Sequence, residues 1–209
     1  MSSPIIKLSS ITNLHDARFG AGMGTVLDMM IGFSLNPTSK NYVSEQDFVQ
    51  ISGWITGCKI VIELEGNTIS EEAHKILSNT DYKIDFVQIS QKSIFSELKS
   101  KNYNFPIIFS TNLEELESLN LEGIEVDYFL IESNEESLSE REIQVLQKLS
   151  KEYPIILGFG ITSENVTGLL SQTQLKGIAF KGQTEIEIGM GGYTDFDEIS
   201  DILEKVEEL

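Results

Sequence analysis

Eight short apolar runs recur along the chain at nearly even spacing, each followed by a segment with apolar residues three and four positions apart. The runs cover 5–8, 29–33, 59–64, 85–89, 106–110, 127–131, 155–158 and 177–180. They are only four to six residues long and rich in Ile, Leu, Val and Phe, as expected of parallel strands buried on both faces. The intervening helical stripes include Leu14, Ala17 and Ala21; Ala73, Ile76 and Leu77; Leu113, Leu116 and Leu119; and Val166, Leu169 and Leu170. The last stripe, Ile199, Ile202, Leu203, Val206 and Leu209, is the clearest. Capping signals mark several helix starts: Asn13 with Asp16, Thr111 with Glu114, and Ser139 with Glu142. Over 209 residues this gives about 26 residues per unit. Strict alternation at that spacing predicts an α/β fold, a (β/α)8 TIM barrel forming one domain over 1–209. A doubly wound open sheet is the alternative, though it rarely needs eight regular units. No linker, low-complexity tract or shift in composition marks a second domain, and the units do not repeat in sequence.

Charge narrows the partners. The formal net charge is −18 and the pI about 4.4, so a polyphosphate backbone or an anionic membrane is repelled. Neither nucleic acid nor membrane is an expected partner. A small phosphorylated molecule remains compatible, because a local nest of backbone N–H groups binds an anion despite the global charge. Much of the acidic excess falls in helical segments (Glu114, Glu115, Glu117; Glu204, Glu207, Glu208), where a solvated face explains it. Cys58 is the only cysteine, which excludes an intrachain disulfide and fits a reducing, cytoplasmic setting. With His15 and His74 the only histidines, neither a histidine-built metal site nor a histidine-based triad is expected, and no cofactor is implied. No apolar run approaches the roughly 18 residues that span a bilayer, and the start of the chain lacks a signal-peptide core.

A barrel of this kind works at the carboxyl ends of its strands. The residues there are Ser9 and Ser10; 34–41; Glu65 and Gly66; Gln88 and Ser90; Ser110; Glu132; 158–162; and Lys181 with Gly182. Barrels often hold phosphate with the loops after strands seven and eight. Gly158-Phe159-Gly160 lets a backbone approach an anion there, and Lys181-Gly182 adds a charge. The first βα junction, Lys7 to Ala17, joins a buried strand ending in two serines to a capped helix. Taken alone, such a junction is more simply an ordinary βα turn, since such turns routinely carry Ser and Thr.

These residues also resemble a family. Lys7-Leu8-Ser9-Ser10-Ile11-Thr12 followed by Asn13-Leu14-His15-Asp16-Ala17 is similar to the opening motif of the phosphoribosylanthranilate isomerases, Lys-Ile-Cys-Gly-Ile-Thr and Asn-Leu-x-Asp-Ala. Gly32-Phe33, the run from Ser39 to Ser44, Phe86-Val87-Gln88-Ile89, the Gly158 turn and Gly192-Tyr193-Thr194-Asp195 extend the likeness over nearly the whole chain. The resemblance implies a barrel that performs an Amadori rearrangement of a phosphorylated aminoribose in tryptophan biosynthesis. The implied partner is a small phosphorylated sugar, and a monomer and a homodimer are both compatible.

The departures fall on the implied chemistry. Where the family has its catalytic cysteine this chain has Ser9, and where it has its acid, an aspartate closing strand six, this chain has Glu132. Asn41 stands for an arginine after strand two, Ser90-Gln91 for a His-Gly, and Phe180-Lys181-Gly182 for a Ser-Ser-Gly phosphate turn. The implied catalytic pair is thus Ser9 and Glu132. The implied substrate-binding residues are Lys7, Asn41, Gln88, Gly158, Gly160, Lys181 and Gly182. A hydroxyl is a far poorer base than a thiol near neutral pH, so a degenerate paralogue that keeps the barrel as a binding or regulatory module is the competing expectation.

Overall fold

Each apolar run becomes a strand because parallel neighbours satisfy its backbone while helices cover its outer face. The structure, a computed structural model, describes residues 3–119, 123–182, 185–187, 190–191 and 196–209. The strands are β1 (Ile5–Ser9), β2 (Asp28–Ser34), β3 (Lys59–Leu64), β4 (Phe86–Ile89), β5 (Ile107–Thr111), β6 (Tyr128–Ile131), β7 (Ile155–Leu157) and β8 (Gly177–Lys181). They pair in parallel in chain order, and β8 closes onto β1 with Ile5 opposite Gly177 and Ser9 opposite Lys181. The helices between and after them are α1 (Leu14–Met23), α2 (Glu45–Ser52), α3 (Glu71–Ser78), α4 (Lys92–Ser100), α5 (Leu113–Ser118), α6 (Glu140–Leu149), α7 (Val166–Gln172) and α8 (Asp197–Glu207). The fold is the (β/α)8 barrel that the alternation predicts. A two-stranded antiparallel sheet, β9 (Glu185–Glu187) with β10 (Met190–Gly191), follows β8 and has no counterpart in the expected pattern. The motif at 192–195 lies outside the described residues.

The helix caps follow local chemistry. Asn13 caps α1 and accepts the Asp16 N–H at 2.9 Å, and Ser139 with Glu142 forms a complete capping box on α6. At α5 the expected cap is displaced by one residue. Thr111 belongs to β5, where it pairs with Ile131, so Asn112 becomes the cap and accepts the Glu115 N–H at 2.8 Å.

Side chains alternate between the two faces of each strand, and inside the barrel this produces layers. Ile5, Met30, Val61, Ile108, Leu130 and Ile156 fill the interior with apolar volume. Two residues further along these inward faces stand Lys7, Gly32, Glu63, Ser110, Glu132 and Gly158, joined by Gln88 on β4. The barrel interior therefore changes from hydrocarbon to polar within one step of the pleat. That step defines the mouth.

Candidate functional site

On the β1–β3 side of the mouth the polar groups form a closed network. Lys7 is fully buried, and its ammonium donates to Glu63 Oε1 at 2.5 Å and to Ser9 Oγ at 2.6 Å. Glu63 Oε2 accepts from the Ser10 N–H at 3.1 Å and from the Ser10 hydroxyl at 2.9 Å. Ser10 sits in the left-handed region at φ 57°, uncommon for a residue with a side chain, and its two bonds to Glu63 hold it there. Room for the pair comes from Gly32 on β2. A methyl group at that position would lie 2.0 Å from Glu63 Oε1 and 3.0 Å from Lys7 Nζ.

The opposite side is more open. Glu132, directly after β6, accepts from the Ser110 hydroxyl at 2.5 Å and lies 3.0 Å from the Lys181 ammonium. Burial alone raises the Glu132 carboxyl and is the largest single influence. The Ser110 donor, the Lys181 charge and the more distant Lys7 charge together outweigh it and hold the group below its usual range. Glu65, on the rim beyond β3, is displaced the other way. Partial desolvation and then the neighbouring Glu63 charge raise it, with Glu132 adding to the rise against a hydrogen bond from Ser39 and the charge of Lys181. Beside Glu132 a cavity of about 500 Å³ opens between the loops after β5, β6 and β7, walled by Glu114, Glu132, Glu135, Glu142, Phe159 and Lys181. Its lysine is the one that already faces Glu132.

The residues expected to hold an anion stand at or beyond the carboxyl ends of β2, β7 and β8. The Gly158 N–H donates to Ile131 O at 2.8 Å and the Gly182 N–H to Ser9 O at 2.9 Å, so both serve the strand ends. Gly160 adopts a positive φ of 65°, and a methyl group there would lie 2.7 Å from Leu138 Cγ: its glycine character serves the packing of the Leu138 loop. Asn41 lies half-buried in the loop between β2 and α2, where its N–H donates to Ser39 Oγ at 3.3 Å. Ser34 Oγ and Gln88 Oε1 are buried without a hydrogen-bond partner among the described residues. Ser34 pairs in register with Glu63, and Glu63 with Gln88, so the three point to the same side, into the barrel.

Glu63 is the residue that sequence reasoning missed. Its signal was present, for Val61 and Glu63 share one face of β3, with Glu65 next in the same alternation beyond its end, while Ile60, Ile62 and Leu64 form the other. A lysine on the matching face of β1 was its evident partner. No group of acidic, histidine or cysteine side chains among the described residues is placed to hold a metal ion. No helix among them is long and apolar enough to cross a membrane.

Compared with known proteins by sequence, the chain matches no family model and no curated protein. Compared by structure, it is similar to phosphoribosylanthranilate isomerases. One, solved in complex with reduced 1-(o-carboxyphenylamino)-1-deoxyribulose 5-phosphate, superposes with a TM-score of 0.72 at 22% identity, covering 99% of this chain and all of the other. The isomerase of Thermotoga maritima gives 0.72 at 21% identity with the same coverage. That of Thermococcus kodakaraensis gives 0.70 at 20%, over 97% of this chain and 98% of its own. At such identities the likeness is one of architecture: the chain is a divergent barrel built on the phosphoribosylanthranilate isomerase fold.

Proposed function

We propose that this protein binds a small polar molecule at the barrel mouth as a binding or regulatory module, having lost the proton-transfer chemistry of an Amadori isomerase. Ser9 carries this reading. Its side chain stands where the resemblance implies the base, is only 3% exposed, and accepts a hydrogen bond from the Lys7 ammonium. A hydroxyl supplies no useful base fraction near neutral pH, and its bonded neighbour is a proton donor. At Glu132, in the implied acid position, burial raises the carboxyl but the Ser110 hydrogen bond and the Lys181 charge outweigh it, which disfavours the protonated form that an acid needs. Loss of a positioned base or acid costs about 10²–10⁴ in rate for each group.

A second reading, that the chain is a working phosphoribosylanthranilate isomerase, is favoured by the carboxylate kept at the end of β6 and by the full-length likeness of fold. Expression in a tryptophan auxotroph lacking the isomerase separates the two. No growth with soluble, folded protein supports the binding module, and growth at ordinary expression establishes the enzyme. The triple variant Ser9→Cys, Glu132→Asp, Asn41→Arg is expected to show isomerase turnover above the parent, because a thiol beside the Lys7 ammonium favours its thiolate. Equal rates in parent and variant, both folded, would show that these positions do not carry the chemistry.

A further inference from the structure

The first βα junction holds an anion, and that anion is the chain's own. Three donors converge on the Glu63 carboxylate. The Lys7 ammonium meets Oε1 at 2.5 Å, and the N–H and hydroxyl of Ser10 meet Oε2 at 3.1 Å and 2.9 Å. An ammonium, a hydroxyl and a backbone N–H aimed at one point make an anion cradle, of the kind that left-handed turns build. Ser10 takes that turn conformation at φ 57°, a strain that its bonds to the carboxylate offset. Stability alone does not account for the arrangement, because a buried ion pair gains little over an apolar pair of equal volume. Gly32 supplies the space into which the carboxylate reaches, since a methyl group there would lie 2.0 Å from Glu63 Oε1. With Lys7 and Glu63 only 0% and 2% exposed, the cradle is full.

We infer that the barrel mouth carries a carboxylate-binding cradle, formed by Lys7 and Ser10, which Glu63 keeps closed by occupying it. The contact is autoinhibitory. The ligand class that fits is a small planar monocarboxylate, with one oxygen on the ammonium and the other on Ser10, as Glu63 places its own. A tetrahedral dianion such as phosphate brings more oxygens and a second charge into a space shaped by one carboxylate. The inference goes beyond the binding-module reading and does not depend on it, since it concerns Glu63 and not the implied catalytic pair.

Glu63→Ala tests it, because the atoms it removes, Cγ and the carboxyl group, are those of acetate. Melting temperatures of this variant and the wild type are compared in acetate, acetamide, inorganic phosphate and chloride, at pH 7 and equal ionic strength. Acetate is expected to stabilise Glu63→Ala saturably, by about 3–6 °C at ten times its dissociation constant. Acetamide, which has the shape without the charge, and phosphate are each expected to bind at least about tenfold more weakly. The wild type is expected to respond to acetate no more than to chloride. Lys7→Met combined with Glu63→Ala is expected to lose the acetate response. If Glu63→Ala is unfolded in chloride, refolding from urea replaces melting, and acetate is expected to restore the native circular dichroism where chloride does not. No acetate effect in either measurement overturns the inference. Acetamide or phosphate matching acetate overturns it too, the first by reducing the effect to the filling of a void. An acetate response that survives in the double variant, or appears in the wild type, also overturns it. Complementation of the auxotroph reports on Ser9 and Glu132 and is blind to these outcomes, so the two readings fail separately.

Discussion

The two sides of the mouth use the same chemistry, a lysine, a glutamate and a serine, to opposite ends. On the β1–β3 side Lys7 and Glu63 are 0% and 2% exposed and bonded to each other, Lys7 also to Ser9 and Glu63 also to Ser10. On the β6–β8 side Lys181 and Glu132 are 59% and 25% exposed and line an open cavity. A buried ion pair gains little against a hydrophobic pair of equal volume, but breaking one partner is costly because the other charge is stranded. An exposed pair contributes close to nothing and leaves its members free to turn toward a ligand. The closed network is thus a plug that fixes the shape of β1 and its left-handed Ser10, and the open pair is the part suited to recognition.

Cutting the plug should have the largest effect. Lys7→Met strands the Glu63 carboxylate and is expected to destabilise by about 3–5 kcal/mol in denaturant unfolding. At about 2–4 °C per kcal/mol for a chain of this size, the melting temperature falls visibly. Pairing it with Glu63→Leu removes both charges and should recover at least half of the loss, although Ser10 then lacks its acceptors. A single variant as stable as the parent would mean that the pair is not a plug. Gly32→Ala comes next. The added methyl sits 2.0 Å from Glu63 Oε1 and must displace the pair or the strand, an overpacking expected to cost about 1–3 kcal/mol. In the Lys7→Met, Glu63→Leu background that penalty should change measurably, since the two sites share a contact and do not add.

The contrast between the two sides also marks how far the sequence was legible. The barrel was readable because strands buried on both faces leave continuous apolar runs, and because caps such as Asn13 and Ser139 are settled within four residues. The α5 cap was misplaced because the extra residue of β5 depends on pairing with β6, which no local pattern carries. Strand ends such as Ser9, Glu132 and Lys181 could be assigned to the mouth from topology alone. Their bonds could not, for Lys7 meets Glu63 across 56 residues and Ser110 meets Glu132 across 22. At Gly160 the place after the seventh strand was legible, whereas the close approach of Leu138 that requires a glycine there was not.

The smallest effect on stability, and the sharpest on titration, belongs to the open pair. Solvent screens Lys181, so Lys181→Met should change stability by less than about 1 kcal/mol. Its signature lies in the acid limb. The folded-state pKa of Glu132 is lowered from its ordinary 4.5, so its contribution is present above that value and is lost as pH falls through the folded pKa. Removing Lys181 moves that pKa upward and brings the loss on at a higher pH. Ser110→Ala should also move it upward, because the burial that raises the group remains while the Ser110 hydrogen bond that opposes it is lost. Carboxyl carbon NMR across the titration reads both shifts directly. A Glu132 titration that ignores Lys181→Met would place the lysine in solvent and leave Ser110 as the group that keeps the carboxylate ionised. The two sides of the mouth would then differ in kind: one built as an ion pair, the other as a carboxylate on a hydroxyl with its cation left mobile.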